Sequence, residues 1–168
     1  MVILGIDPGY AIVGYGVIKS DGVKFRPIEY GAITTAAGTE FTQRLQKIYD
    51  GVSVILDRYS PDAVAIEKLF FNTNTATAID VAQARGVILL AAKQKNVRVC
   101  EYTPLQVKQA VTGYGRAEKK QVMEMTRQLL RLDAVPKPDD TADALAMAVC
   151  HAHFSGSLYG RIRQEGKI

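Results

Sequence analysis

The chain has 168 residues, of which 48% are hydrophobic and 23% are charged. This length is typical of one domain with a single substantial core, and the composition excludes an intrinsically disordered protein. The formal net charge of +4 favours approach to polyanions such as nucleic acids, although proteins of many other classes have a similar charge. The motifs must therefore indicate the function.

The cellular compartment is predicted from the cysteines and from apolar runs. Cys100 and Cys150 belong to no C-x-x-C pair, which is typical of proteins in a reducing cytosol. The first residues lack the basic segment and the long apolar stretch of a signal peptide, and Asp7 interrupts them. No stretch approaches the roughly 20 apolar residues of a membrane helix. We therefore expect a cytoplasmic protein with no membrane association.

Three β-rich segments open the chain, at residues 2–6, 11–19 and 23–34. The turn sequences between them are short, so the segments are predicted to form an antiparallel meander. Apolar residues then recur at helical spacing from residue 39 to residue 59, which predicts an amphipathic helix with Thr39 as its N-cap. Residues 63–67 are apolar up to their last residue and are typical of a buried parallel strand.

The second half of the chain alternates predicted helices with one more strand. These elements are a helix at residues 75–94, a strand at 97–102, a short helix after Pro104, a helix at about 117–132, and a last helix from about Asp140 to about His153. We expect one domain over residues 1–154, followed by a polar, basic tail at residues 155–168.

This order of elements predicts an α/β fold. A right-handed crossover after the meander brings the fourth strand beside the first. The result is a mixed five-stranded sheet, with three antiparallel strands followed by two parallel strands, flanked by helices. Asp7 and Glu67, each at the C-terminal end of its strand, then meet at one edge of the sheet, where open α/β sheets commonly bind ligands.

Each acid near this edge also has a purely structural interpretation. Asp7 followed by Pro8 and Gly9 is favourable turn chemistry. Glu67 is harder to explain in this way, because an ionised carboxylate in a buried strand needs a cation or several hydrogen-bond donors. Asp140 and Asp143 are three residues apart on one helix face, where acids also cap a helix and complement its dipole. The apolar residues after Asp143 favour an orientation toward the sheet.

Convergence of the four carboxylates would cause strong mutual repulsion unless divalent cations neutralised them. Oxygen ligands favour Mg²⁺ or Mn²⁺ over zinc, and two such ions would balance the charges. In sites of this type, one ion activates the attacking water and the other stabilises the leaving 3′ oxygen during phosphodiester hydrolysis. The residues alone therefore indicate a metal-dependent nuclease.

Several stretches resemble the RuvC family of Holliday-junction resolvases. Those around the acids are Gly5-Ile6-Asp7-Pro8-Gly9 with Gly14-Tyr15-Gly16, then Ala65-Ile66-Glu67, and Asp140-x-x-Asp143-Ala144-Leu145-Ala146. Further similar stretches are Gln83-Ala84-Arg85-Gly86, Gln106-Val107-Lys108-Gln109, and Ala117-Glu118-Lys119 followed by Gln121-Val122. The strings are individually modest, but their order and spacing are specific, and they cover roughly residues 1–154.

The resemblance implies an RNase H-like fold, a homodimer, and symmetric paired nicks in a four-way DNA junction during recombination and repair. It also implies two Mg²⁺ per subunit, with Mn²⁺ as a substitute, and a branch-migration motor complex as a partner. The family's catalytic and metal-binding acids fall on Asp7, Glu67, Asp140 and Asp143. Asp139 is an extra acid beside this motif, so the sequence leaves open which of Asp139 and Asp140 binds metal.

The same resemblance suggests three DNA-binding residues. Phe70 matches an aromatic residue that stacks on an unpaired junction base, although Phe71 follows directly and either ring has the required chemistry. Its structural alternative is an ordinary core or loop anchor. Lys108 and Lys119 match positions that hold phosphates near the cut, whereas a surface lysine is usually only solvated.

Two further features have specific interpretations. His151 and His153 are predicted to act as partly cationic groups near the C-terminus of the last helix, because their spacing on a helix points the rings apart and argues against zinc. Gly86 within a helix weakens it relative to alanine, so we expect close helix packing there, at the dimer interface.

Three other functions are compatible with parts of the pattern. A sugar-kinase or actin-like ATPase also uses Asp-x-Gly after a first strand, but such proteins need two of these domains to enclose a nucleotide. A non-catalytic junction- or RNA-binding module predicts loss of one or more of the acids, all of which are present. A different RNase H-like nuclease would keep the acids and change the substrate.

Overall fold

The computed structural model describes residues 1–68 and 75–156. Its strands are β1 (Val2–Asp7), β2 (Ile12–Ser20), β3 (Phe25–Thr34), β4 (Ala63–Glu67) and β5 (Arg98–Tyr102). Its helices are α1 (Phe41–Tyr59), α2 (Thr75–Gln94), α3 (Pro104–Thr112), α4 (Lys119–Leu130) and α5 (Asp139–Gly156). The predicted order of elements is confirmed, and the ends of most elements differ from the prediction by one to three residues.

The five strands form one mixed sheet in the order β3-β2-β1-β4-β5. Short turns join β1 to β2 and β2 to β3, and these pairs are antiparallel, whereas β4 lies parallel to both β1 and β5 after helical crossovers. The predicted sheet is therefore confirmed. The register pairs Ile6 with Ile66, so the next residues along, Asp7 and Glu67, end neighbouring strands at the same edge.

Helices cover both faces of the sheet, and alternate residues of β1 separate the two cores. Leu4 and Ile6 pack with α1 and α2, in a core that includes Ile48 and Ile88. Ile3 packs on the opposite face with α3, α4 and α5. Because side chains alternate along a strand, Asp7 is on the same face as Ile3 and points toward α5.

Helix α5 lies unusually close to the sheet, because glycines in β1 and β2 leave room for its backbone. A Cβ atom added to Gly5 would lie 1.9 Å from the carbonyl oxygen of Ala144, and one added to Gly14 would lie 2.0 Å from that of Asp140. At Gly16 it would lie 2.6 Å from Leu145 Cδ2. Any other residue type at Gly5 or Gly14 would displace α5, so these glycines set the height of α5 above β1.

Two local predictions need correction, and one stays untested. Thr39 is not the N-cap of α1: Glu40 occupies that position without a side-chain cap hydrogen bond, and its carboxylate instead accepts from the Thr42 hydroxyl. Helix α5 continues to Gly156, two residues past the predicted domain end, and the rest of the predicted tail lies outside the described residues. The Cβ position of Gly86 meets nothing within 4 Å outside its own stretch of α2, so the close packing predicted for this glycine at a dimer interface stays a prediction.

Within residues 1–68 and 75–156, no helix has the length and apolar composition needed to cross a membrane.

Candidate active site

Four carboxylates converge where β1 and β4 end beneath the start of α5. Asp7 and Glu67 are the last residues of their strands, and Asp140 and Asp143 belong to the first turns of α5. All four are partly buried. The parallel register of β1 and β4 brings the first two together, and the glycines beneath α5 bring the second two down onto them. The predicted meeting of Asp7 and Glu67 at one sheet edge is confirmed.

The pKa of Asp7 reflects the nearby carboxylates. Burial raises the pKa of the Asp7 carboxyl from 3.8 to about 7, and repulsion from Asp143, Glu67 and Asp140 adds to the effect of burial. The pKa of Glu67 is also raised, first by burial and then by Asp143. Lys119 opposes the shift at both residues but does not cancel it. The cluster therefore carries negative charge that the described residues leave only partly compensated.

Lys119, the first residue of α4, lies inside this cluster. Its Nζ is 2.8 Å from Asp143 Oδ2 and 3.8 Å from Asp139 Oδ2. The hydrogen bond to Asp143 is the main cause of the raised pKa of Lys119. Its side chain keeps 57% of its exposure, so the ammonium group lies beside the acids and remains accessible to a ligand.

The structure distinguishes Asp140 from its neighbour Asp139. Asp140 is one of the acids that raise the pKa of Asp7. Asp139 instead accepts a 2.7 Å hydrogen bond from Lys137 Nζ, which lowers its pKa, and its side chain is 46% exposed. Asp140 therefore belongs to the cluster around Asp7, and Asp139 belongs to its rim.

Comparisons with known proteins show the family to which this chain belongs. The family model for crossover junction endodeoxyribonuclease RuvC matches residues 3–151. This chain belongs to the RuvC family. A RuvC of Alkaliphilus metalliredigens is 61% identical over 153 residues, which cover 91% of this chain and 93% of the relative.

Two solved structures place the fold. T. thermophilus RuvC, in complex with a Holliday junction substrate, has a TM-score of 0.89 at 39% identity, with 93% of this chain and 95% of that chain covered. The yeast mitochondrial Holliday junction resolvase Ydc2 has a TM-score of 0.68 at 13% identity, with 98% and 86% covered, which is a likeness of fold alone. The RNase H-like α/β fold predicted from the sequence is confirmed.

The donor set of this RuvC-family site fits a hard divalent cation. The candidate ligands are carboxylate oxygens alone, and the repulsion of Asp7 by Asp143, Glu67 and Asp140 is of a kind that a cation would relieve. Within the described ranges, however, no group of three or more His, Cys, Asp or Glu side chains is already arranged to hold an ion. Asp143 Oδ2 is instead in contact with Lys119 Nζ. The carboxylates thus fit the ion by chemistry and charge, and their side chains must adjust to bind it.

The remaining DNA-binding predictions have different outcomes. Phe70, like Phe71, lies outside the described residues. Lys108 is a partly buried residue of α3 and makes no ion pair with any residue of the described chain. The structure therefore brings Lys119 to the acids but not Lys108, and a phosphate contact by either lysine stays a prediction.

His151 does not have the predicted cationic role. It is 5% exposed, and its Nδ1 pairs with the Tyr102 hydroxyl at 2.7 Å. Burial lowers the pKa of His151 from 6.5 to about 4, so the ring is neutral at pH 7. His153 lies in the last turn of α5, and its Nδ1 is 2.8 Å from the Ala110 carbonyl oxygen. Helix α5 ends later than predicted, and this moves His151 away from the helix terminus.

The main feature that sequence reasoning missed is the physical role of the glycines. Gly14-Tyr15-Gly16 carried the family resemblance, but its reason is steric: Gly14 lies opposite Asp7 in the β1–β2 pair and contacts the α5 backbone at Asp140. A signal was present, because glycine inside a strand often marks a close backbone approach. The identity of the approaching helix was not readable from sequence.

Proposed function

We propose that this chain is a structure-selective endonuclease that resolves four-way DNA junctions by symmetric paired nicks, in homologous recombination and DNA repair. The observation that carries the proposal is the convergence of Asp7, Glu67, Asp140 and Asp143 at one sheet edge of a RuvC-family chain. The T. thermophilus relative in complex with a Holliday junction substrate supports the choice of DNA.

The four acids would hold two Mg²⁺ per subunit, with Mn²⁺ as a substitute. When bound, these ions would activate water for attack on the phosphodiester and stabilise the leaving 3′ oxygen. Asp7 would hold an ion through its ionised carboxylate, and a bound cation would oppose the burial and repulsion that raise its pKa. The geometry of α5 on the glycines keeps Asp140 and Asp143 above the strand-end acids.

The chain's cations and aromatics would place the substrate. Lys119 lies beside Asp143 with its ammonium partly exposed, which suits a contact with the phosphate that is cut. Lys108 would hold a second phosphate. Phe70 would stack on an unpaired base at the crossover, a contact worth about 1–3 kcal/mol.

A homodimer would supply the two active sites that paired nicks require. Helix α2 supports this proposal, because Ile79, Gln83, Gly86 and Leu90 follow one another at helical spacing and are all exposed. Ile79 is 65% exposed and Leu90 is 50% exposed. A branch-migration motor complex is the further partner that we propose, by family resemblance. We propose the cytoplasm as the location, because the cysteine thiols of Cys100 and Cys150 fit a reducing compartment.

The test uses a labelled four-way junction and a matched duplex, with Mg²⁺ or with EDTA. We expect paired nicks near the crossover in the junction, dependence on Mg²⁺, and an intact duplex. Asp7→Asn, Glu67→Gln and Asp143→Asn should each abolish cutting and leave junction binding largely intact, because each removes a ligand charge and keeps the fold.

Three results would contradict parts of this proposal. Near-normal turnover by one of the three variants would show that the assigned role of that acid is wrong. Cutting of RNA or of plain duplex would keep the carboxylate chemistry and change the substrate. Tight junction binding without cutting by the wild-type protein would favour a non-catalytic binding module.

A further inference from the structure

Arg85 connects helix α2 to the end of the strand that carries Glu67. Its Nε donates to the backbone carbonyl oxygen of Glu67 at 3.2 Å, and its guanidinium forms an ion pair with the Glu101 carboxylate on β5. The Arg85 side chain is only 13% exposed, whereas that of Glu101 is 48% exposed. The guanidinium is thus directed inward, onto the ends of two neighbouring strands.

The Glu67 carbonyl lacks a donor from the sheet, and the register explains why. The N–H of Lys68 donates to the Tyr102 carbonyl oxygen at 2.9 Å, so Lys68 faces β5, and the carbonyl of Glu67 must face β1 instead. The pairing of Ile6 with Ile66 then makes the N–H of residue 8 the next donor due at this carbonyl. Residue 8 is Pro8, which has no N–H.

We propose that Arg85 is a positioning residue for Glu67, because its Nε takes the place of the sheet donor that Pro8 cannot provide. This inference rests on the proposed role of Glu67 as a metal ligand. The bond fixes the last peptide of β4, and the orientation of that peptide sets the direction in which the Glu67 carboxylate leaves the strand. Without it, the carbonyl at the end of β4 would lose the donor that replaces the missing sheet hydrogen bond.

The proposal predicts weaker metal binding when Arg85 is replaced. Residues that orient a metal ligand typically change metal affinity or activity by about 10–100-fold when they are removed. We expect Arg85→Met to weaken Mn²⁺ binding by about tenfold and to raise the Mg²⁺ concentration for half-maximal junction cleavage by a similar factor. Junction affinity in EDTA should stay within about twofold of wild type, because Arg85 is directed away from the surface.

The matched control is Glu101→Gln, which removes the ion pair and leaves the Arg85 Nε bond to the carbonyl. It should bind Mn²⁺ like wild type. Arg85→Lys keeps the charge and most of the side-chain packing but has no Nε, so it should bind Mn²⁺ more weakly than Glu101→Gln does. This variant carries the test if Arg85→Met does not fold.

The experiment measures Mn²⁺ binding to the full chain without DNA, by electron paramagnetic resonance of the free ion, together with melting temperature and single-turnover junction cleavage. Weaker Mn²⁺ binding by the Arg85 variants, with Glu101→Gln unchanged, supports the proposal. A lower melting temperature with unchanged Mn²⁺ affinity would reduce Arg85 to a structural role and overturn it. Equal losses in Arg85→Met and Glu101→Gln would also overturn it.

Glu67→Gln separates this inference from the proposed function. If Glu67→Gln binds Mn²⁺ and cuts like wild type, the metal role of Glu67 is wrong, and the inference is overturned with it. If Glu67→Gln loses Mn²⁺ binding and junction cutting while Arg85→Met retains these two properties, the proposed function stands and only the role of Arg85 is wrong.

Discussion

At the scale of single residues, the fold places the Asp7 carboxyl where its ionised form is unfavourable. Its pKa of about 7 lies above the ordinary value of 3.8. The folded state therefore binds the Asp7 proton more tightly than the unfolded state does, and stability without metal should fall as pH rises from about 4 to about 7. One pKa unit corresponds to about 1.4 kcal/mol, so this decrease is at most roughly 4 kcal/mol.

The stability of Asp7→Asn tests this predicted pH dependence independently of catalysis. The variant removes the charge, so we expect it to be more stable than wild type at pH 8 in EDTA, with a smaller difference at pH 5. Urea unfolding at both values measures the free energy directly. A variant that is less stable than wild type at pH 8 would show that Asp7 is not repelled by its neighbours.

His151 should have the opposite dependence on pH. Its pKa falls from 6.5 to about 4 on folding, so the unfolded state takes up a proton that the folded state rejects. Stability should decrease as pH falls from about 6.5 toward 4, by up to roughly 3 kcal/mol. His151→Asn should remove this decrease relative to wild type, measured by urea unfolding at pH 7 and pH 5. His153→Asn is the matched control, and an equal loss of the pH dependence in both variants would contradict the assignment to His151.

At the scale of helices and strands, the elements that depend on local pattern were predictable. The continuous apolar run at Ala63–Glu67 gave β4 with its observed bounds, and the short turns gave the antiparallel pairs. The convergence of the acids followed from topology, since strands in parallel end at the same edge. The predicted cap of α1 was wrong because residue type favours Thr39 as an N-cap, whereas the helix begins after Glu40, which makes no side-chain cap hydrogen bond. The backbone path, and not residue type, sets this boundary.

Contacts between elements that are far apart along the chain could not be predicted from the sequence. His151 is buried, which lowers its pKa, and its hydrogen-bond partner Tyr102 lies on β5, 49 positions away along the chain. Lys119 reaches Asp143 only because α4 packs beside α5. Neither partner follows from periodicity, because periodicity gives the buried face of an element and does not identify what covers it.

The height of α5 above the sheet gives a prediction at this scale. In Gly14→Ala the new methyl group would meet the Asp140 carbonyl at 2.0 Å, and backbone atoms cannot rotate away. We expect a loss of about 1–3 kcal/mol in the free energy of unfolding, typical of overpacking, together with slower cleavage because Asp140 and Asp143 move.

The matched control for this prediction is Gly51→Ala in α1. Its methyl group would meet only the end of the Ile33 side chain, at 2.8 Å, and alanine favours the helix by about 1 kcal/mol. Stability and single-turnover cleavage should both stay near wild type. If Gly14→Ala cleaves as fast as Gly51→Ala, the close approach of α5 does not set the position of the acids.

At the scale of the whole molecule, the described residues of each chain place a cluster of acids around Asp7 at one sheet edge. Two symmetric nicks in a junction therefore need two chains, held so that their clusters face strands of like polarity. The exposed stripe of α2 is a surface on which two copies can pair, because Ile79 and Leu90 would otherwise remain in water. The exposed Gly86 between them would let two helix backbones approach closely.

The double variant Ile79→Asp, Leu90→Asp tests this arrangement. Charges on both sides of a symmetric interface repel, so we expect a monomer by sedimentation equilibrium. Apart from the stability lost with the dimer itself, the melting temperature should stay close to that of the wild type. Junction nicks should then become single and uncoupled. Val23→Asp is the control, because Val23 is 82% exposed but lies on the turn between β2 and β3, away from the stripe. If the double variant remains a dimer with paired nicks, the two copies meet through another surface, and the α2 stripe has a different occupant.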